Sequence, residues 1–216
     1  MVLDRRTAML WADGRVGRFG MPGEIVTDDD DKIVILGPHL ALMTSGVQML
    51  GDNVVSNIRL NYHPGLTLPQ IIDLVEFCLT NSWNYCTVAE GFDMNHPGVN
   101  CGVLLAGSAA GQPFILLSRQ LYRRPIPPQF ETEPYQIAVS CRDTERGLAI
   151  VNEEFSRQMT DELTRGSYDS YVEAVTKIGA SAIRKVAEGD DSVGGVIRCA
   201  ISKRGTPFEK KVVENV

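Results

Sequence analysis

Two stretches of helical periodicity stand back to back in this chain, and the arrangement occurs twice, each time between blocks of short apolar runs. In the first pair, Val47, Leu50, Val54, Val55 and Ile58 recur at the three-to-four spacing of an amphipathic helix. His63-Pro64-Gly65 breaks that pattern. Thr67 then supplies an N-cap, with Pro69 in the first turn where its missing N–H is harmless. Ile71, Ile72, Leu74, Val75 and Leu79 carry the second helix to about Tyr85. The second pair covers Gly147–Leu163 and Tyr168–Ala187. Single helices between strands would give parallel βαβ units, whereas helices arriving in pairs imply antiparallel sheets covered by helix pairs. The expected fold class is therefore α+β, a four-layer αββα sandwich of two antiparallel sheets flanked by helix pairs.

The strand blocks support this. Thr7–Ala12 reads as a short buried strand closed by the turn former Asp13-Gly14, and Val16–Thr27 as a Gly-rich strand or loop with turns at Gly20 and Pro22-Gly23. Ile33–Leu36 and His39–Met43 flank Gly37-Pro38 and make a hairpin, after which Gly46 marks the change to helix. A second block holds Cys101–Gly107 and Gln112–Leu117, with Gly111 in the turn between them. Residues 122–134 carry four prolines and two arginines and read as an extended surface loop; Tyr135–Ser140 reads as a strand. The chain closes with a strand over Gly195–Ile201 and a charged tail.

A length of 216 residues suffices for one domain, 1–216, to bury a core without staples. The formal charge of −6 and the lack of a basic run argue against nucleic acid or an anionic membrane as partner. No stretch approaches the roughly 18 apolar residues of a membrane span. The first residues, Met-Val-Leu-Asp-Arg-Arg, lack the apolar core of a signal peptide. Five cysteines, Cys78, Cys86, Cys101, Cys141 and Cys199, are odd in number and show no C-x-x-C spacing. They imply reduced, mostly buried thiols and a cytoplasmic protein, nuclear as well if eukaryotic.

Several features read as structural when taken alone. Asp28–Asp31 is a solvated loop rather than a metal site, because consecutive carboxylates cannot converge on one ion. Asp28–Lys32 also spells a protease-tag sequence, but it runs directly into a strand. His39, His63 and His96 lack ligand spacing and read as turn residues. Gly107–Gly111 has no following lysine, so it is not a phosphate loop. Cys141 reads as a buried packing cysteine. No cofactor and no metal site is expected.

The order of motifs resembles the proteasome β-subunit family of N-terminal-nucleophile hydrolases, over nearly the whole chain from Thr7 to about Gly205. Thr7-Ala-Met-Leu-Trp-Ala-Asp13-Gly-Arg15 resembles the family's first strand and the acidic residue closing it. Asp31-Lys32-Ile33, a hairpin and Ser45-Gly46 resemble the segment with the family's catalytic lysine and its oxyanion glycine. Leu105-Ala106-Gly107 with Gly111-Gln112-Pro113 resembles the hairpin after the first helix pair. Residues 135–141 stand where the family has a Gly-Ser-Gly turn, and Asp190–Gly195 resembles its late acidic-Ser-Gly-Gly loop.

The resemblance implies a threonine-type peptidase or amidohydrolase whose N-terminal residue is nucleophile and, through its α-amine, part of the proton relay. Lys32 is then the relay lysine, Asp13 the carboxylate that holds it, and Gly46 N–H the oxyanion donor. Ser140 and Asp190 complete the shell around the terminal amine. Pocket residues near Gly20, Ser45 and Met49 would set substrate preference. The family's nucleophile lies roughly two strand lengths before the aspartate, whereas residues 1–6 hold no Thr, Ser or Cys and Thr7 is a single short strand from Asp13. Val139 and Cys141 replace the glycines beside Ser140, and Val193 stands where the family has a serine, with Ser192 one residue away. The resemblance thus implies either a hydrolase whose nucleophile precedes this sequence or a catalytically inactive β-like subunit. Other such subunits, or copies of itself, would be partners in a ring, and a peptide the substrate if it is active. An unrelated α+β binding domain is the third reading.

Overall fold

The computed structural model describes all residues except 6, 19, 20, 22, 90–98, 110, 111, 122, 123, 134, 135, 142, 160–165, 204, 205 and 216. In chain order the elements are β1 (Val2–Asp4), β2 (Thr7–Ala12), β3 (Val16–Gly17), β4 (Ile25–Thr27), β5 (Ile33–Gly37), β6 (Leu40–Gly46), α1 (Gln48–Asn61) and α2 (Leu68–Ala89). They continue with β7 (Asn100–Ala109), β8 (Gln112–Leu121), β9 (Arg124–Glu131), α3 (Thr144–Gln158), α4 (Tyr168–Ala187), β10 (Val196–Lys203) and β11 (Glu209–Asn215). The fold is mixed α+β with antiparallel sheets, ordered β1-β2-β10-β11, β3-β4 and β5-β6-β7-β8-β9. By its internal contacts the chain divides into two compact units. The first comprises residues 1–10, 33–140 and 201–209, the second residues 11–32, 141–200 and 210–216.

The first unit is built on the five-stranded meander. Leu42, Leu105 and Leu116 stand opposite one another across β6, β7 and β8. With the strand period of two, Leu40, Val103 and Phe114 share their face. That face meets the apolar stripes of α1 (Leu50, Val54, Ile58) and α2 (Ile71, Val75, Leu79, Trp83) in one buried cluster. Each fully buried Leu or Val there contributes about 1.5–3 kcal/mol. The alternate residues Ala41, Met43, Leu104, Ile115 and Leu117 are buried as well, so the sheet is covered on both faces. Thr67 accepts the first backbone bond of α2 from Ile71 N–H, and Gln70 Oε1 takes both the Thr67 N–H (2.9 Å) and its hydroxyl (2.8 Å). This is the returning half of a capping box.

In the second unit α3 and α4 pack on each other and on Trp11. The indole N–H donates to Thr176 O at 3.1 Å, and the ring meets Phe155 edge-on at 6.3 Å. Asp143 caps α3 by accepting Arg146 N–H, and Ser167 caps α4 by accepting Ser170 N–H. Beside the helix pair, Glu154 of α3 is a buried carboxylate. It pairs with Arg157 at 2.7 Å, accepts the Ser181 hydroxyl at 2.6 Å, and also accepts from Gln158.

Four expectations are corrected. The proline-rich stretch expected as a loop contains the edge strand β9, paired with β8. An edge strand tolerates proline because its outward N–H has no partner to lose. Gln136–Ser140, expected as a strand, has no regular structure. Most of the charged tail forms β11. Cys141 is half-exposed rather than buried, while Cys78, Cys86, Cys101 and Cys199 are buried. The expected helix over 147–163 begins earlier, at Thr144, and is defined to Gln158; its last residues, like Gly20, Pro22, His96, Gly111, Tyr135 and Gly205, lie outside the described residues.

Candidate functional site

Strand β2 ends at Ala12, and the turn after it presents the Asp13 carboxylate. Lys32, the residue before β5, reaches that turn: Nζ donates to Asp13 Oδ1 at 3.0 Å and to Arg15 O at 2.7 Å. The second carboxylate oxygen is held by backbone, accepting Arg15 N–H (3.2 Å) and Gly194 N–H (3.0 Å). Both side chains are mostly shielded, 18% and 14% exposed for Lys32 and Asp13. The carboxylate and the carbonyl give the shielded lysine nitrogen hydrogen-bond partners in place of water. Among the described residues these bonds occupy two of its three N–H donors.

The late loop is locked onto this turn. Gly14 N–H donates to Gly194 O (3.1 Å), Asp30 N–H to Gly14 O (2.9 Å) and Val196 N–H to Asp28 O (2.8 Å). Gly195 has φ +76°, and a Cβ there would overlap the Asp28 carbonyl, so both the backbone conformation and the space call for glycine. The Arg15 guanidinium bridges the same segments, donating to Asp28 (2.7 Å) and to the Asp191 and Val193 carbonyls (both 3.3 Å). Its pKa is raised, first by the hydrogen bond to Asp28. Three of the four carboxylates of the acidic run are ion-pair partners. Asp28 pairs with Arg15, Asp29 with Arg198, and Asp31 with Lys210 and Arg198. Among the described residues no group of three or more His, Cys, Asp or Glu side chains is placed to hold a metal ion.

Asp190 closes its own turn: Oδ1 accepts the Ser192 N–H (3.0 Å) and hydroxyl (2.5 Å), and its carbonyl accepts Val193 N–H. Its loop reaches the Lys32–Asp13 pair by way of Gly194, whose N–H donates to Asp13. Asp190 and Asp191 also line a cavity of about 520 Å³ together with Cys141, Asp143, Arg146 and Glu188.

Gly46 and Ser140 belong to the other unit. Gly46 ends β6 at φ +93°, opposite Cys101, and a Cβ there would overlap the Asn100 carbonyl. Ser140 Oγ lies 2.5 Å from Ser45 Oγ. Met49 lies on α1, 37% exposed, and Thr7 is fully buried in β2. The neighbouring thiol of Cys101 is pushed up to about 12, first by burial and then by Cys86, and burial holds Cys78 at about 11. Both are protonated at neutral pH and inert as nucleophiles.

The structure thus joins Lys32 to Asp13 directly, Asp190 to that pair through its loop, and Ser140 to the residue before Gly46. Sequence reasoning missed Arg15, whose carbonyl holds Lys32 and whose guanidinium holds Asp28, and it missed the cations Arg198 and Lys210. The available signal was charge balance: a run of four carboxylates on a packed turn needs cations, which come from distant β10 and β11. The sequence matches no protein-family model and no curated protein.

Proposed function

We propose that this chain is a proteasome β-subunit-like, N-terminal-nucleophile hydrolase scaffold acting on peptide or amide bonds. The observation that carries the reading is Lys32, held in a shielded site between Asp13 Oδ1 and Arg15 O. In this reading the nucleophilic hydroxyl belongs to a residue outside the sequence described. Lys32 faces that hydroxyl, lowers its pKa by charge, and takes its proton as it passes its own third proton to the terminal α-amine. Asp13 orients the lysine and is itself fixed by two backbone N–H groups, a pre-organised arrangement that needs no rearrangement during reaction. The family resemblance assigns Gly46 N–H to the oxyanion and Ser140 to the amine, and Asp190 closes the turn of the late loop through Ser192. The hydroxyl adds to the amide carbonyl, the C–N bond breaks as the relay protonates the leaving amine, and water then hydrolyses the resulting ester, releasing the acid and restoring the hydroxyl. Ring assembly with like subunits and a cytoplasmic location belong to the same reading.

A second reading, a silent β-like structural subunit, is favoured by the backbone groups that the pair also ties, Arg15 O, Arg15 N–H and Gly194 N–H. A purely structural clamp would do the same. Lys32→Arg separates the two. Arginine keeps the charge and the ion pair but does not give up its proton. With peptidyl-aminomethylcoumarin substrates and protein from its native source, kcat is expected to fall about 10²–10⁴-fold with the melting temperature nearly kept. Equal hydrolysis by wild type and variant, or none by either, overturns the hydrolase reading.

A further inference from the structure

We propose that Ser45 is a positioning residue that fixes Ser140, through a pocket left open by Gly102. The inference deepens the hydrolase reading and rests on it for its catalytic meaning. Three neighbouring strands place Ser45, Gly102 and Arg119 in one row, since Ser45 stands opposite Gly102 and Gly102 opposite Arg119. Alternation puts this row on the sheet face turned away from α1 and α2. At its centre the missing side chain leaves a hole, and the Ser140 hydroxyl occupies it, 2.5 Å from Ser45 Oγ. A Cβ on residue 102 would lie 2.5 Å from Ser140 Oγ and 2.7 Å from Ser45 Oγ, so any larger residue expels the pair.

Residues 136–140 form no regular strand; Val2 N–H donates to Gln136 O at 3.0 Å at the start of the segment, and Ser140 lies at its other end. The Ser45–Ser140 bond is a side-chain anchor of that segment to the strand. Ser45 directly precedes Gly46, which is itself pinned against Asn100: the next residue, Val47, donates its N–H to Asn100 O at 3.0 Å. One residue therefore ties the segment carrying Ser140 to the strand end carrying Gly46. A glycine inside a central strand otherwise weakens it; here the gap has an occupant.

The test is hydrogen–deuterium exchange of full-length protein over residues 136–141, with Ser45→Ala, Ser45→Thr and Gly102→Ala. Ser45→Ala and Gly102→Ala, opposite in chemistry, are each expected to speed exchange there about tenfold, the scale of one lost hydrogen bond. Ser45→Thr, which keeps the hydroxyl, restores protection. The double variant exchanges no faster than either single one, because both remove the same contact. Unchanged exchange in Ser45→Ala, or additive effects, overturns the proposal. This readout needs no hydrolysis, so a protein that cleaves nothing refutes the hydrolase reading without touching it. In a protein that cleaves peptidyl-aminomethylcoumarins, Ser45→Ala lowers kcat with KM kept and Ser45→Thr restores it; an unchanged kcat overturns the positioning role.

Discussion

Shielded charges in this chain are settled by the groups that converge on them, near in sequence for some and distant for others. Glu154 and Lys32 are both shielded charges on polar-looking segments, and each is stable because several groups converge on it. The Glu154 carboxyl is drawn down from its ordinary 4.5 to about 2, first by the Arg157 hydrogen bond and then by Ser181. Since the folded value lies below the unfolded one, this stabilisation is complete above about pH 4.5 and disappears as pH falls toward 2. Urea unfolding of wild type and Glu154→Gln is expected to differ by about 1–3 kcal/mol at pH 6. The gap should close between pH 4.5 and 2; a constant gap contradicts the assignment. Lys32 allows a second test, because Asp28–Lys32 is the recognition sequence of enteropeptidase and the bond after Lys32 leads into buried Ile33. The clamp withholds that lysine, so cleavage requires local opening. On timed gels the wild type should resist, and Asp13→Asn should be cut at least about tenfold faster, the scale of one charge-assisted hydrogen bond. Equal rates would mean the clamp does not restrain Lys32.

At the scale of elements, local pattern was enough where one element's own residues define it. The stripes of α1, α2 and α4, the strand Thr7–Ala12 and the Gly37-Pro38 hairpin were legible for that reason. Strand β9 was not, because proline content reports a preference against central strands, and only β8 reveals that this strand lies at an edge. β11 escaped for a related reason: Glu-Lys-Lys-Val-Val-Glu-Asn is too charged to show a buried face. In the candidate site, Lys32 and Asp13 could be nominated from motif order, but the hold of Arg15 on Asp28 could not, since it depends on how three loops close. Helix α4 gives a test in which propensity and packing disagree. Gly179 lies in its interior, where alanine ordinarily adds about 1 kcal/mol. The indole of Trp11 occupies the space of the new methyl, however, with Nε1 2.5 Å from the Cβ position. Overpacking of this kind costs about 1–3 kcal/mol, so Gly179→Ala should lower the melting temperature; a rise would show that Trp11 can move aside.

For the whole molecule, the helix pairs and antiparallel sheets follow from element order alone, whereas the partition into two compact units does not. That partition cuts β2, β10 and β11 and also falls between residues 32 and 33 and between 140 and 141, where no composition change marks it. No described helix is long and apolar enough to cross a membrane. Function at this scale rests on one claim, that the Lys32–Asp13 clamp serves a nucleophile at a mature N-terminus. The direct measurement is to treat the protein from its native source with a β-lactone acylating agent and locate the adduct by mass spectrometry. The account expects one adduct, on an N-terminal Thr, Ser or Cys, and none in Lys32→Arg. An unmodified protein, or a label indifferent to Lys32, would contradict it.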